Sequence, residues 1–143
     1  MNAQPFKSTH FCLNQNLVLM NKGKLIVRVV LGLMLVVFGL NKFLQFMPVP
    51  PMPEAAGALM GALVTSGYIM AIVAIVEIVT GILLLVNKFQ PLTLVVLFPI
   101  LINAFLFHLF LDLAGIGGAA VALAMNVFLM FANKEAYSEV LKA

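Results

Sequence analysis

Several side chains capable of chemistry stand inside long apolar stretches of this sequence. Glu77 is the clearest case, because nine residues separate it from each end of the apolar run 68–86. A carboxyl in such surroundings is either protonated or paired with a cation, and either state makes it a candidate proton or ligand site. The full set of candidate interior polar residues is Arg28, Asn41, Lys42, Glu77, Asn103, His108, Asp112 and Asn126.

The remaining candidates divide by residue type. His108 and Asp112 are i,i+4 neighbours on a helix, so a carboxylate can orient the imidazole for proton handling, although a purely structural pair is equally open. Asn103 and Asn126 are predicted chiefly to hydrogen-bond between helices. Arg28 and Lys42 either join the interior or extend their ends to the two lipid surfaces.

Small residues recur on the same helical faces as these polar groups. Gly32 and Gly39 share a stripe with Arg28 and Lys42, and Gly81 shares one with Glu77. Small residues let membrane helices approach closely, so all three glycines are predicted packing positions. The stripes predict one polar interior in three layers. Arg28 and Asn126 would lie at one end, Glu77 and Asn103 in the middle, and the others at the far end.

The amino-acid composition indicates whether the segments that carry these residues lie in water or in lipid. Hydrophobic residues make up 64% of the 143-residue chain and charged residues only 9%, against about 45–50% and about 25% in soluble domains. The composition therefore predicts lipid contact. The single cysteine, Cys12, excludes an intramolecular disulfide. The basic residues flank apolar runs, which indicates membrane topology and not nucleic-acid binding.

The apolar runs predict an all-α integral membrane protein. Its four transmembrane helices form a bundle, at about 25–46, 68–86, 91–111 and 114–132. The proline-rich segment 47–53 cannot be helical, and residues 54–66 are predicted as a short interfacial or re-entrant helix between the first two spans. Residues 1–23 are expected to be a disordered tail. Alternatively, Met1 is an upstream start codon that is not used, and the protein begins at Met20. Residues 133–143 are expected to form a charged tail.

The distribution of basic residues predicts an orientation in the membrane. With four spans, both termini share a side with the loop between the second and third spans. That side holds seven of the eight Lys and Arg residues: Lys7, Lys22, Lys24, Arg28, Lys88, Lys134 and Lys142. The positive-inside rule therefore places both termini in the cytoplasm, for a multi-pass protein of the cell's inner membrane.

The order of four short motifs resembles DoxX-like membrane proteins. These motifs are RVVLGL at 28–33, FGLNKF at 38–43, VEIVTG at 76–81 and FPILIN at 98–103. The resemblance extends over about residues 24–132 and implies a four-helix membrane bundle. Some relatives are linked to thiosulfate–quinone oxidoreductase or to redox-stress complexes. The resemblance transfers no agreed catalytic residue to this chain.

Two functions remain open from the sequence. One is a membrane redox subunit that binds a quinone or a similar lipid-soluble molecule, with a partner protein supplying the electrons. The other is a non-enzymatic adaptor or a small proton-linked carrier, for which a homo-oligomer is expected. The sequence contains no self-contained catalytic motif, so whether the chain is an enzyme stays open. No cofactor other than a quinone and no metal site is predicted.

Overall fold

A computed structural model describes residues 6–48 and 50–140, with side chains described for 20–48 and 50–137. Every regular element in those residues is helical, which confirms the all-α fold. The six α-helices are α1 (Phe6–Leu44), α2 (Glu54–Thr65), α3 (Ile69–Leu85), α4 (Gln90–Leu111), α5 (Ile116–Ala132) and α6 (Lys134–Val140). A short 3-10 turn, Leu113–Gly115, joins α4 to α5.

Helix α1 begins much earlier than the sequence predicts. Residues 1–23 are predicted as a disordered tail, yet the structure is helical from Phe6 onward. Neither proline nor glycine occurs between Phe6 and Lys22, so nothing in that stretch ends a helix. Gly23 disfavours helix by only about 1 kcal/mol relative to alanine, which its neighbours offset. Residues 1–5 lie outside the described part of the chain.

The breaks between α1, α2 and α3 have local causes. After Leu44, Gln45 takes a left-handed conformation with φ of 49°, and the side-chain oxygen of Asn41 accepts a hydrogen bond from the Met47 amide at 2.8 Å. The prolines then keep the chain extended until α2 begins at Glu54. Gly67, with φ of 76°, lies in the middle of the connection 66–68, and α2 and α3 meet there at an angle of 87°.

Three helical segments are long and apolar enough to cross a membrane, namely Met20–Leu44, Gln90–Leu111 and Leu113–Ala132. A fourth is added if the bent pair of α2 and α3 is counted as one span. Apolar side chains such as Leu33, Val79 and Phe128 stand exposed on the outside of the bundle. These features define a helical membrane bundle, as the sequence predicts.

Helices α1 and α3 run antiparallel with their backbones in close contact. A Cβ placed on Gly32 would lie 3.0 Å from the carbonyl oxygen of Gly81, and one placed on Gly39 would lie 3.0 Å from that of Ala74. Only residues without a side chain allow such an approach. The glycines therefore fix the separation of the two helices that carry Lys42 and Glu77.

The other two spans close the bundle around a leucine core. Helices α4 and α5 form a hairpin. In addition, α4 contacts α3, and α5 contacts α1. The buried hydrophobic cluster draws on all four helices and consists of Leu31, Leu35, Leu84, Leu94, Leu97, Leu101, Ala122 and Leu129. Beyond α5, α6 returns against the start of α4, where the Tyr137 hydroxyl donates to the Pro91 carbonyl at 3.1 Å.

The close helix contact predicts a specific sensitivity to added volume. In Gly81→Ala the new Cβ would lie 2.8 Å from the Gly32 carbonyl oxygen, which is backbone and cannot rotate away. We expect a loss of about 1–3 kcal/mol in the free energy of unfolding, as in other overpacked sites. Unfolding in a mild detergent would measure it.

Gly57→Ala in α2 is the matched control, because nothing lies within 4 Å of its new Cβ. It should cost no stability. Equal losses in the two variants would contradict the role assigned to the α1–α3 contact.

Candidate functional site

The central feature of the candidate site is an ion pair between Lys42 and Glu77. The Lys42 ammonium donates to Oε2 of Glu77 at 2.5 Å, joining α1 to α3. The Lys42 side chain is 21% exposed and that of Glu77 10%. The sequence leaves open whether Lys42 extends outward to the lipid surface; in the structure it turns inward to Glu77.

Helix geometry explains why these two residues meet. Side chains on an α-helix lean toward the N-terminus of their own helix. In the antiparallel α1 and α3, the lean carries the Lys42 side chain toward the bundle middle and that of Glu77 toward the end where α1 stops. Gly39 leaves the room between them, since a Cβ there would stand 3.2 Å from the Cβ of Glu77.

The pair retains unused hydrogen-bonding capacity. Among the described residues, neither the Lys42 ammonium nor the Glu77 carboxylate makes a second side-chain hydrogen bond. An ammonium has three donors and a carboxylate two oxygens, so both could also bind a ligand. Chemically, the arrangement can donate to a carbonyl oxygen, accept from a hydroxyl, and hold or release a proton.

His108 and Asp112 form a second polar cluster at the end of α4. Nδ1 of His108 lies 3.2 Å from Oδ2 of Asp112, and Asp112 is buried. The imidazole stacks edge-on against Phe107 and packs directly over Gly115. In the described part of the chain, no hydrogen bond or ion pair joins this cluster to Lys42 and Glu77. The predicted His108–Asp112 neighbourhood is therefore present, but as a separate site.

The other predicted interior residues are dispersed. Asn126 is fully buried, and its amide donates to the Leu94 carbonyl at 3.3 Å, which joins α5 to α4. Asn41 accepts a hydrogen bond from the Met47 amide just beyond the end of α1 and is not part of a shared interior network. Arg28 is buried toward the other end of the apolar segment Met20–Leu44, with Nη1 unpaired.

Asn103 departs most clearly from the predicted polar interior. Its side chain is exposed on the outer surface of the bundle. The reason is rotational: Leu101 faces the core, and two residues further along a helix lie about 200° around its axis. The single polar line predicted through all four spans is thus wrong at Asn103.

Sequence reasoning missed a polar cavity at the end of the bundle near Arg28. It has a volume of about 370 Å³ and is lined by Asn21, Lys24, Leu25, Arg28, Asn87, Gln90 and Asn133. Taken one at a time, several of these residues look like charged residues flanking a span or amide residues of a loop. The sequence feature that could have predicted the cavity is the placement of polar residues at the same end of successive helices.

A second, apolar groove of about 280 Å³ lies between α3 and α4. Its only polar members are Thr80 and Thr93, whose hydroxyls donate to carbonyls of the preceding turn. Such a lining suits hydrocarbon. Within the described residues, no three His, Cys, Asp or Glu side chains come together in a way that could hold a metal ion.

An all-helical bundle with lipid-facing apolar surfaces and a charged pair between two of its spans defines a small polytopic membrane protein. A family model described as DoxX matches residues 23–109, more than half of the chain. The chain belongs to the DoxX family, which confirms the resemblance; the match includes Lys42, Glu77 and His108 and ends before Asp112 and Asn126. No curated protein and no solved structure matches the chain significantly.

The ion pair predicts non-additive effects of substitution. Lys42→Met leaves the Glu77 carboxylate buried without its partner, and breaking a buried pair on one side costs about 3–5 kcal/mol. The double variant Lys42→Met with Glu77→Leu removes both charges and should be more stable than Lys42→Met alone. Unfolding of the wild type, both single variants and the double variant would measure the coupling. Additive effects would contradict the pairing.

The His108 cluster predicts a requirement for glycine at position 115. In Gly115→Ala the new Cβ would overlap the imidazole, so the ring must leave Asp112. We expect shifted His108 ring resonances in NMR spectra, which are tractable because the chain has two His. Gly117→Ala, whose Cβ meets nothing within 4 Å, should leave them unchanged. Unshifted resonances in Gly115→Ala would contradict this packing.

Proposed function

We propose that this protein is a membrane subunit that binds a lipid-soluble carbonyl compound of the quinone class at Lys42 and Glu77. The observation that carries the proposal is the 2.5 Å ion pair between two membrane helices, with hydrogen-bonding capacity left over on both partners. The family adds support, since some DoxX-like proteins are linked to quinone oxidoreduction.

A purely structural role accounts poorly for this pair. Replacing a buried ion pair by well-packed apolar residues is often neutral or stabilising, so the pair is not the obvious way to hold α1 against α3. The glycine contacts already bring those helices together. A ligand that receives hydrogen bonds from the pair gives the two charges a use that packing does not.

The chemistry available to the pair suits a quinone. The Lys42 ammonium would donate to a quinone carbonyl oxygen, and the Glu77 carboxylate would accept from a quinol hydroxyl. Reduction of a quinone to a quinol takes two electrons and two protons. In this proposal a partner redox protein supplies the electrons, and Lys42 and Glu77 hold the ligand and pass protons at its oxygen atoms.

We propose an inner-membrane protein with both termini in the cytoplasm, following the charge distribution. Lys42 lies two residues before the end of α1, so the pair would be reached more readily from the non-cytoplasmic half of the membrane. A lipid-soluble ligand could arrive from the bilayer without crossing water.

A non-enzymatic adaptor is the second candidate, and one observation favours it. Helix α2 has a single buried residue, Ala56, and nothing lies within 4 Å of a Cβ added at Gly57 or Gly61. A helix so little used by its own bundle has a surface available to another membrane protein, including a second copy of this chain.

Extraction of the purified protein tests the quinone proposal. Protein prepared in mild detergent should yield a quinone in organic solvent, and Glu77→Gln should reduce its occupancy by about ten-fold, the effect of losing one charge-assisted hydrogen bond. Mass spectrometry would identify and quantify the compound.

Glu54→Gln is the matched control, because it makes the same chemical change at an exposed carboxyl. It should leave quinone occupancy unchanged. An extract without quinone from protein that retains a stoichiometric protein partner would overturn the proposal in favour of the adaptor. Equal quinone occupancy in the wild type and Glu77→Gln would show that Glu77 does not bind the quinone.

A further inference from the structure

The polar cavity at the far end of the bundle from Asp112 has an unusual balance of groups. It is lined by α1, the α3–α4 connection, the first residue of α4 and the end of α5, and six of its seven lining residues are polar. Two of these, Lys24 and Arg28, are cationic, while none is Asp or Glu. The cavity is therefore positively charged and has no acidic residue of its own.

Arg28 is the lining residue whose hydrogen-bonding capacity is least satisfied. Only 9% of its surface is exposed, and Nη1 has no hydrogen-bond partner among the described residues. A buried guanidinium is normally satisfied by carboxylate, phosphate or carbonyl oxygens, because an unpaired buried donor is costly. The structure thus contains a cation that lines a cavity and lacks an acceptor.

The neighbouring side chains do not provide that acceptor. The Gln90 amide donates to Oδ1 of Asn87, and the Asn133 amide donates to the Gln90 oxygen and to the Leu129 carbonyl. Lys24 donates to the Ala132 carbonyl at 2.7 Å, which leaves two ammonium donors unused. The amide oxygens of Asn87 and Gln90 each already accept one hydrogen bond, and in the described residues neither accepts one from Arg28.

We infer that this cavity binds a phosphate-class oxyanion through Arg28 and Lys24. Guanidinium groups bind phosphate oxygens through paired hydrogen bonds. Gln90 is the first residue of the 22-residue helix α4, whose positive end adds to the attraction. The volume of about 370 Å³ falls in the range of about 300–1,000 Å³ typical of ligand pockets.

The phosphate has two natural sources, a phospholipid headgroup or a soluble phosphate compound. This end of the bundle carries most of the basic residues of the chain, as expected where a helix bundle meets anionic lipid. The chemistry of recognition is the same for both sources. The inference stands apart from the quinone proposal, because it uses neither Lys42 nor Glu77.

Two measurements on the full chain in an uncharged, phosphate-free detergent separate the sources. In the first, the unfolding temperature is titrated with sodium phosphate against sodium chloride of equal ionic strength. In the second, native mass spectrometry follows lipid retained from bilayers that mix phosphatidylglycerol with a neutral, phosphate-free glycolipid. Stabilisation by phosphate indicates a soluble anion, whereas selective retention of phosphatidylglycerol indicates a headgroup. Either result supports the oxyanion site.

The variants make the site assignment falsifiable. Arg28→Gln should weaken binding by about ten-fold or more, because it removes charge-assisted hydrogen bonds. If that variant does not fold, Asn21→Asp serves instead, since it keeps Arg28 and places a negative charge on the cavity lining. Lys88→Gln is the control, because it removes a charge at the same end from an exposed residue outside the lining.

Lys88→Gln should change binding less than two-fold, on the order expected for a screened surface charge. No response to phosphate together with no lipid selectivity would overturn the inference. Binding that survives both Arg28→Gln and Asn21→Asp would also overturn it. So would binding that falls as much in Lys88→Gln as in Asn21→Asp, because the anion would then be attracted by the surface charge of this end in general.

Discussion

The contact between the backbones of α1 and α3 determines what the rest of the bundle can do. Packed helices usually lie about 8–10 Å apart, depending on the side chains at the contact. Here Gly32 and Gly81 face one another and Gly39 faces Ala74, so no side chain holds the helices at a distance. The close approach brings the Lys42 ammonium onto the Glu77 carboxylate and lets the leucines of all four spans form one cluster.

Much of this architecture follows from the sequence, because membrane helices obey few and strong rules. The apolar runs, the proline-rich break and the glycine at position 67 predict the succession of helices, although they do not predict that α1 begins as early as Phe6. The glycine stripes predict the packing face of α1 and α3, since small residues are what a close contact requires. Even the positions of His108 and Asp112 follow from their spacing of four residues.

The errors have physical reasons of their own. Helix α4 is apolar nearly all round, so its sequence does not show which face is inside, and Asn103 lies on the outer one. The partner of Lys42 was not predictable from its depth, because a lysine side chain can extend toward either the surface or the interior. The end cavity was missed because it is assembled from residues of distant segments, each of which looks like an ordinary flanking residue.

The polar groups of the bundle differ in how completely they are satisfied. His108 and Asp112 have each other, as do Lys42 and Glu77. Arg28 does not, and it lies at the end where the surplus of basic residues also lies. Polar side chains are therefore paired in the middle and at one end of the bundle, while a cation without an acceptor lies at the other end.

The right-angled joint between α2 and α3 fixes the position of Glu77 relative to α2. Because α2 lies at 87° to α3, the distance of any α3 residue from α2 is set by its position along α3 alone. Glu77 lies eight residues beyond the start of α3, about 12 Å along the helix axis. The bend at Gly67 thus holds α2 about two helical turns from the Lys42–Glu77 pair, measured along α3.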